Sequence, residues 1–444
     1  MSRVITYGTF DLLHDGHIRL LERARNAGNY LIVGVTSERY DERRGKLSVH
    51  DSLAERIENV RKTGLADKII VEEYEGQKVD DIQRYSIDLF AIGSDWTGHF
   101  DYLNQLCKVQ YLERTAGVSS TESRAVKSGI VRIGIVGTGR IANRFVQEAK
   151  FVSSVSVEHV FSRRYETASK FRQTHSLGLA TKTYDDLLDQ IDAVYIATPH
   201  ESHYDYARRA LAAGRHVLCE KPLTLSCEET SQLYSMADIS GLVLLEGIKT
   251  AFSPGFLRLC SLAQSGTIGE IMAVDATFTR LTGPGLRETS GDSGSGSLTE
   301  LGSYPLLAIA RLLGTEPTQV ICDSIVASDS TVDALTRVSL KYERAVATAT
   351  VALGAKSEGD LRIAGTKGYI YVPSPWWKTS RIEIRGEDAS KNVVYVEPFQ
   401  GDGLRYELSE FSSMIQSKST HSYKLNRKTS EFIQSIISMS PTIR

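Results

Sequence analysis

Two histidines near the start of the chain have the spacing of a phosphoryl-transfer site. His14-x-Gly16-His17 follows an apolar run and precedes a helix-forming stretch. Two imidazoles three residues apart at a helix start can point at one site, and Gly16 leaves the backbone amides there open to a phosphate. Imidazoles and a helix N-terminus suit the negative charge that develops on a phosphoryl group during transfer. The alternative is that both histidines are surface residues beside a loop.

A second phosphate-binding pattern lies at residues 114–121, with the sequence RTAGVSST. It combines one guanidinium, one glycine and several hydroxyl groups just before a predicted helix. This composition can hold a phosphate. Ser119 and Thr121 are also good helix caps, so a plain capped helix start is the alternative.

The middle of the chain carries a dinucleotide-binding pattern. Residues 130–145, IVRIGIVGTGRIANRF, give a predicted strand, then Gly137-x-Gly139-x-x-Ala142, then a predicted helix. In this fingerprint the first glycine permits a tight turn and the second lets the backbone approach a pyrophosphate. Because the motif belongs to the first strand of its sheet, residues 1–129 are predicted to form a unit of their own.

The next strand of this predicted fold bears on the choice of cofactor. About 20 residues past the glycines, an NAD-preferring fold offers Asp or Glu to the ribose hydroxyls. Here residues 155–161 are followed by Ser162-Arg163-Arg164. Two guanidiniums can pair with a 2′-phosphate, so the sequence favours NADP(H) over NAD(H). The alternative is that both arginines belong to a solvated face.

A lysine that could act on a hydroxyl or carbonyl group follows about 80 residues past the glycines. Glu220-Lys221-Pro222 ends a short predicted strand. A lysine held rigidly in a cleft can hydrogen-bond the substrate oxygen while a hydride moves. A surface Glu–Lys pair is the alternative, but the position after a dinucleotide-binding fingerprint favours a catalytic role.

The elements that position these motifs are predicted from apolar patterning. Residues 4–7, 30–36, 69–72 and 89–92 have the composition of buried strands, and a helix is predicted to run through about residue 27, ending at Gly28. This order predicts a parallel sheet. Residues 314–403 alternate as in an antiparallel sheet. The adjacent Trp376 and Trp377 fit either a pocket or a subunit interface.

Composition excludes several classes of protein. The 444-residue chain has a net charge of −2, which gives no basic field for nucleic acid. Its five cysteines are scattered without paired spacing, which indicates reduced thiols and not zinc ligands. No apolar run approaches the ~18 residues of a membrane span, and the N-terminus lacks a signal-peptide pattern. We therefore expect a cytoplasmic protein without nucleic-acid or membrane partners.

Three ordered motifs, GTFDLLHDGH, GSDWTGHFDYL and RTAGVSST, cover residues 3–124 and closely resemble the glycerol-3-phosphate cytidylyltransferase family. The resemblance implies transfer of a cytidylyl group from CTP to an alditol phosphate, with Mg²⁺ and release of pyrophosphate. It implies that His14 and His17 stabilise the α-phosphate, that Lys46 and Arg114 neutralise phosphates, and that Asp11 lies near the metal. The nucleotide- and acceptor-binding residues that it implies are Gly8, Thr9, Phe10, Asp11, Gly16, Arg56 (for the acceptor phosphate), Asp95, Trp96, Thr115, Gly117, Ser119, Ser120 and Thr121.

From residue 130 to near the C-terminus, the motifs GTGRIA, IATPHESH, GRHVLCEKPLT and GSLTELGSYPL resemble the Gfo/Idh/MocA oxidoreductase family. The resemblance implies Lys221 as the catalytic lysine, Glu300 facing the substrate, and Tyr304 as the proton donor or acceptor polarised by Lys221. A core tyrosine is the alternative for Tyr304. The implied cofactor-binding residues are Gly137, Thr138, Gly139, Arg140, Ile141, Ser162, Arg163, Arg164, Thr198, Pro199, His203 and Glu220.

Together these observations predict an α/β protein with three domains. They are a cytidylyltransferase domain at residues 1–127, an NAD(P)-binding Rossmann domain at residues 130–250, and an α+β domain with a large open antiparallel sheet at residues 251–444. The predicted enzyme is bifunctional, reducing a keto-sugar or keto-alditol and making a CDP-alditol for a surface polymer. Alternatively, the oxidoreductase half acts on the CDP-linked product, or one half is a non-catalytic binding or dimerising module. A homodimer or higher homo-oligomer is expected.

Overall fold

The computed structural model describes residues 2–74, 76–113, 130–283, 286–291, 294–326, 332–417 and 420–439. The chain divides into two compact units. One contains Met1–Ile133 and Val146–Leu187, and the other contains Gly134–Phe145 and Leu188–Arg444. No helix in the described ranges combines the length and apolarity that a membrane span requires.

The first sheet has five parallel strands. In chain order they are β1 (Arg3–Gly8), β2 (Tyr30–Thr36), β3 (Lys68–Glu72), β4 (Leu89–Gly93) and β5 (Lys108–Leu112). Their spatial order is β3-β2-β1-β4-β5, with parallel pairing at every junction. The helices that accompany this sheet are Asp15–Asn26, Glu38–Arg43, Leu53–Lys62 and Gln77–Arg84. The order reverses at β1, so the loop after β1 lies at the switch point where α/β sheets bind ligands.

The second sheet has six strands. They are β6 (Val131–Val136), β7 (Val155–Phe161), β8 (Leu179–Ala180), β9 (Ala193–Ile196), β10 (His216–Glu220) and β11 (Leu244–Gly247). The order is β11-β10-β9-β6-β7-β8, with β6 between β9 and β7. The helices of this region are Arg140–Ala149, Tyr165–His175, Tyr184–Leu188, His203–Ala212 and Cys227–Ser240. The glycine motif therefore follows the first strand of its sheet, as the sequence predicts.

The third sheet has eight strands and is mixed. They are β12 (Ile271–Thr279), β13 (Gln319–Val326), β14 (Asp333–Lys341), β15 (Val346–Ala352), β16 (Leu361–Gly365), β17 (Tyr369–Val372), β18 (Arg381–Arg385) and β19 (Val393–Val396). Their order is β13-β14-β15-β12-β16-β17-β18-β19. The pair β12–β15 is parallel, whereas the other neighbours are antiparallel. The long connection between these two strands contains helix Ser303–Leu313 and supplies the crossover that a parallel pair needs.

One side of this sheet contributes to an apolar core. The core includes residues of helices Pro254–Gln264, Ser303–Leu313 and Thr420–Ile437, and helix Leu404–Ser417 precedes the last of these. Trp376 is fully buried in this core, and its indole N–H donates to Thr277 O at 2.9 Å. Trp377 is partly buried and stacks on Phe278 with ring centroids 3.6 Å apart. The two tryptophans are therefore a core residue and its partly exposed neighbour.

Gly137 shows why the turn after β6 requires glycine. Its φ is +102°, a region that L side chains adopt at a cost. A Cβ atom there would lie 2.4 Å from Ala197 O, at the end of β9. Gly139 differs, because a Cβ at that position would have no atom within 4 Å. Gly137 is needed for the fold itself, and Gly139 leaves open space at the start of helix Arg140–Ala149.

We expect Gly137→Ala to lower the free energy of unfolding by roughly 2–4 kcal/mol, since it combines a positive φ with a backbone overlap. Gly139→Ala is the matched control and should change stability by no more than about 0.5 kcal/mol. Thermal denaturation followed by circular dichroism compares the two variants. Equal melting temperatures for both would contradict this account.

Candidate active sites

His14 and His17 form a stacked pair at the start of helix Asp15–Asn26. Their ring centroids are 3.8 Å apart and the rings are inclined by 21°. The His14 Nδ1 accepts the Gly16 N–H at 3.1 Å, so in neutral His14 the proton is on Nε2. Burial lowers the pKa of His17 well below its usual value, with smaller contributions from His14 and Lys46. The His17 Nδ1 is buried and has no hydrogen-bond partner among the described residues, which suits a site built for a ligand.

The loop between β1 and these histidines is strained. Phe10 and Leu12 have φ values of +53° and +45°, which non-glycine residues adopt rarely and mostly at functional sites. Asp11 holds this conformation, since its carboxylate accepts the His50 N–H at 3.0 Å and the Asp51 N–H at 2.8 Å. The described residues contain no group of three or more His, Cys, Asp or Glu side chains suited to a metal. Asp11 therefore anchors the loop, and its metal role stays a prediction.

Arg56, which is predicted to bind the acceptor phosphate, lies inside the fold beside the loop after β1. Its side chain is fully buried. The guanidinium donates to the carbonyls of Asp51 at 3.0 Å, Thr9 at 2.9 Å and Thr36 at 2.8 Å, and it lies 3.4 Å from the Asp41 carboxylate. Its Nη2 is buried and has no hydrogen-bond partner among the described residues, so the acceptor-phosphate role stays a prediction. Arg56 ties the loop after β1 to the end of β2.

Lys46 is partly buried beside backbone of the dinucleotide-binding region, within one compact unit. Its ammonium donates to Lys150 O at 3.0 Å, and the next residue, Leu47, forms a parallel bridge with Val152. Burial lowers the pKa of Lys46 to about 8, against the opposing effects of Asp41 and Asp11. Trp96 meets Phe151 edge-on, with ring centroids 6.5 Å apart. Two residues predicted to bind the nucleotide thus lie at the same segment, residues 150–153.

Of the remaining residues predicted for the cytidylyltransferase site, some lie at the loop after β1 and others lie outside the described residues. Gly8, Thr9, Phe10 and Gly16 lie on or beside the strained loop after β1, and the Thr9 hydroxyl donates to Asp41 at 3.2 Å. Outside the described residues are Arg114, Thr115, Gly117, Ser119, Ser120, Thr121 and the side chain of Asp95. Their binding roles stay predictions.

Lys221 and Glu300 form the centre of the second site. The Lys221 ammonium donates to Glu300 O at 2.7 Å and lies 3.6 Å from the Glu300 carboxylate. The same carboxylate accepts from Arg287 at 2.6 Å and lies 3.7 Å from His200 Nε2. Burial, followed by the charges of Lys221 and Arg287, lowers the pKa of His200 to about 2, so this imidazole is neutral. The cluster therefore has two cations and one anion.

Tyr304 is partly buried beside this cluster. Its ring centroid lies 5.3 Å from that of Phe278, which stacks on Trp377. Burial, then the charges of Glu220, Glu407 and Glu300, raises the pKa of the hydroxyl, which is protonated at neutral pH. Among the hydrogen bonds of the described residues, Lys221 pairs with Glu300 and not with Tyr304. The polarisation of Tyr304 by Lys221 stays a prediction.

His203 and Glu220 both have internal hydrogen-bond partners, and their cofactor-binding roles stay predictions. His203 is fully buried, with Nδ1 2.8 Å from Pro222 O and Nε2 2.9 Å from Thr198 O. Both nitrogens are thus directed at backbone, and the ring links the ends of β9 and β10 beside Lys221. Glu220 accepts the hydroxyl of the fully buried Tyr195 at 2.6 Å. Both residues position the strand ends and have internal partners.

The remaining predicted cofactor residues lie at strand ends or at helix starts. Thr138, Arg140 and Ile141 flank or follow the open Gly139 at the beginning of helix Arg140–Ala149. The Thr198 hydroxyl accepts from Ser202 at 2.8 Å, and Pro199 follows it. Ser162 follows β7 and accepts from Thr167, also at 2.8 Å. Arg163 and Arg164 come next and are exposed. The open space at Gly139 and the helix N-terminus suit a dinucleotide pyrophosphate.

Family profiles match these regions. Residues 5–126 match the cytidylyltransferase-like family. Residues 131–248 match the NAD-binding Rossmann fold of the Gfo/Idh/MocA oxidoreductase family, and residues 256–371 match the C-terminal domain of that family.

Glycerol-3-phosphate cytidylyltransferase of Bacillus spizizenii is 48% identical over 122 residues, covering 28% of this chain and 94% of the relative. scyllo-Inositol 2-dehydrogenase (NADP(+)) of Bacillus subtilis is 30% identical over 302 residues, covering 66% of this chain and 90% of the relative. The chain belongs to both families.

Solved structures agree with the oxidoreductase fold. A 3-ketoreductase from Actinomadura kijaniata, in complex with NADP and TDP-benzene, superposes with a TM-score of 0.62 at 24% identity, covering 69% of this chain and 96% of that chain. UDP-N-acetylglucosamine 3-dehydrogenase from Acidithiobacillus ferrooxidans gives 0.60 at 21% identity, covering 70% and 97%. The protein is thus an enzyme that joins a cytidylyltransferase to an NAD(P)-dependent oxidoreductase.

Sequence reasoning missed three residues of the oxidoreductase site. His200 directly follows the Thr198-Pro199 strand end, and this position could have identified it. Tyr195 lies inside an apolar strand, where an aromatic residue gives no sign of its hydroxyl partner. Arg287 lies in a loop rich in glycine and serine, and no local pattern connects it to Glu300.

Lys46 gives the cytidylyltransferase site a testable pH dependence. With a pKa of about 8, its ammonium is charged below this pH and loses its charge as the pH rises through it. If Lys46 binds the triphosphate, the dissociation constant for CTP should rise about tenfold between pH 7 and pH 9, where the phosphates stay ionised. Lys46→Arg keeps its charge and should show little change. Calorimetric titration measures both, and identical pH profiles would contradict the assignment.

Proposed function

We propose that the enzyme makes a CDP-alditol by reducing a keto precursor with NADPH and cytidylylating the resulting alditol phosphate. The observation that carries the proposal is that one chain retains the chemistry of both sites. In the described part of the chain, one buried nitrogen of the histidine pair has no hydrogen-bond partner, and the lysine of the second site is held beside a carboxylate. A single pathway would use the two activities in succession.

At the first site, an oxygen of the alditol phosphate attacks the α-phosphorus of CTP, and the bond to pyrophosphate breaks. The Nε2–H of His14 and the ring of His17 hydrogen-bond the α-phosphate as its charge develops. Lys46 and Arg114 neutralise the neighbouring phosphates. Mg²⁺ is expected to enter with CTP, since this ion commonly binds through one or two carboxylates together with substrate phosphates.

At the second site, Lys221 hydrogen-bonds the substrate carbonyl oxygen and Tyr304 supplies the proton to it. Glu300 orients the Lys221 ammonium through its carbonyl and carboxylate oxygens. NADPH, when bound, supplies the hydride. Residues 137–141 and Thr198 would hold the cofactor at its pyrophosphate and near its nicotinamide end. The Phe278–Trp377 stack offers the substrate an apolar surface beside Tyr304.

NADPH is preferred in this proposal because Arg163 and Arg164 are exposed after β7, where an NAD-binding fold has a carboxylate. A relative and a structural neighbour with NADP in their names support the choice. We also propose a cytoplasmic homo-oligomer that supplies a surface polymer. Apolar side chains exposed on the large sheet, such as Ile325 and Val396, support the oligomer.

A second candidate is that the oxidoreductase site acts on the CDP-linked product. The names of structural neighbours include TDP-benzene and UDP-N-acetylglucosamine, which are nucleotide-linked compounds. Both neighbours are below 25% identity with this chain, so it is their shared fold that supports the alternative.

The order is tested by supplying the full chain with CTP, Mg²⁺, NADPH and the keto precursors of glycerol, tetritol and pentitol phosphates. We expect one precursor to give a CDP-alditol and pyrophosphate, and neither product without NADPH. His17→Ala should lower pyrophosphate release from the ready-made alditol phosphate at least about 100-fold while NADPH oxidation persists, and Lys221→Ala should do the reverse. If only the ready-made alditol phosphate reacts, the second candidate is favoured. Loss of both activities in either folded variant would contradict two independent sites.

The cofactor choice gives a separate prediction. Replacing Arg163 and Arg164 together by serine should raise the KM for NADPH about 10- to 100-fold, because hydrogen bonds to the 2′-phosphate are lost. The KM for NADH should change by no more than about threefold. Arg61→Ser, in an exposed ion pair with Glu58, is the control. An equal change for both cofactors would show that the arginines do not recognise the 2′-phosphate.

A further inference from the structure

Arg287 is a partly exposed cation in direct contact with the centre of the oxidoreductase site. Its side chain is 40% exposed, and it donates to Glu300 through Nη2 at 2.6 Å. The same nitrogen lies 3.4 Å from His200 Nε2. Among the described residues, Arg287 Nε and Nη1 have no recorded hydrogen bond. The guanidinium therefore has exposed surface and donors left for a ligand.

We propose that Arg287, assisted by Arg280, binds a phosphate ester group on the ketone that this site reduces. The inference rests on the proposed reduction and specifies its substrate class as a phosphorylated ketone. Arginine is suited to this role, because its planar fork of donors matches two phosphate oxygens.

The local charge supports an anionic ligand. Arg140 and Arg280 each lie 3.5 Å from the same Glu288 oxygen. With Lys221 and Arg287, these residues make four cations that face two carboxylates, Glu288 and Glu300, while His200 is neutral. Glu220 and Glu407 also act on Tyr304, so the carboxylates of the site are not limited to these two. The side chains of Arg140, Arg280 and Arg287 are 40–73% exposed, whereas those of Glu288 and Glu300 are 8–12% exposed. The part of the site that solvent reaches is therefore mainly positive, which favours an anion there.

The distances allow one small molecule to reach both ends of the cluster. Lys221 Nζ and Arg287 Nη2 contact opposite oxygens of one carboxylate at 3.6 and 2.6 Å, so they are at most about 8 Å apart. A ketone oxygen on Lys221 and a phosphate on Arg287 can then belong to one short-chain substrate. Two sources fit this chemistry, the monoester of a keto-alditol phosphate and the diphosphate ester of a CDP-linked ketone.

The test supplies the full-length enzyme and NADPH with a phosphorylated ketone, with the same ketone lacking phosphate, and with its CDP-linked form. Arg287→Met should lower kcat/KM for the phosphorylated ketone about 10- to 100-fold and for the unphosphorylated one by no more than about threefold. Arg280→Met should show a smaller loss of the same kind, and Arg287→Lys should recover part of the activity. Arg344→Met, in an exposed pair with Glu270, is the matched control and should change neither value.

Each outcome has a distinct meaning. Equal losses for both ketones would overturn the inference, because they would show that Arg287 only positions Glu300. A wild-type enzyme that prefers the unphosphorylated ketone would also overturn it. If the wild type reduces neither ketone nor the CDP-linked one, the proposed reduction itself is wrong and the inference falls with it. A loss confined to the CDP-linked ketone would support the inference and identify the diphosphate ester as its source.

Discussion

The oxidoreductase site depends on the buried carboxylate of Glu300. It contacts Lys221 from the end of β10, Arg287 from the loop after β12, and His200 from the segment after β9. Lys221 is the mainly buried cation of this group, and removing the cation of such a buried pair leaves the carboxylate uncompensated, at a typical cost of about 3–5 kcal/mol. The carboxylate therefore fixes three distant segments in one arrangement. It also keeps two cations close together without strong mutual repulsion.

The cytidylyltransferase site is built on the same principle around Asp41. This carboxylate is almost fully buried and accepts from the hydroxyls of Thr9 and Thr36, while Arg44 lies 2.8 Å away. The buried guanidinium of Arg56 also lies 3.4 Å from this carboxylate. The strained loop after β1 is held by these partners, because backbone strain persists only where surrounding contacts determine the conformation. In both halves, buried ionic contacts hold the conformation of loops that lie beside the residues predicted to contact substrate.

Local sequence patterns predicted many of the strands and turns, because the conformation of these elements depends mainly on residues adjacent in the chain. The apolar run of β2 gave bounds that the structure reproduces at Tyr30–Thr36, and the two glycines of the dinucleotide motif lie where the pattern placed them. Arg56 and His203 could not be assigned in this way. Arg56 is bonded to Thr9, which lies 47 residues away, and His203 reaches Pro222 across 19 residues. Whether a polar side chain faces solvent or backbone is decided by such distant partners.

The chemistry of a phosphate group would also determine the order of the two reactions. Cytidylylation uses an oxygen of the alditol phosphate as the nucleophile, and the monoester then becomes one half of a diphosphate ester. A guanidinium bound to the monoester contacts about two negative charges on one phosphorus, whereas each phosphorus of the diphosphate ester carries one, so the monoester is attracted more strongly at short range. A reductase site that recognises the monoester through Arg287 would therefore act best before cytidylylation. Under that condition the phosphate serves first as the group that holds the ketone and then as the group that attacks CTP.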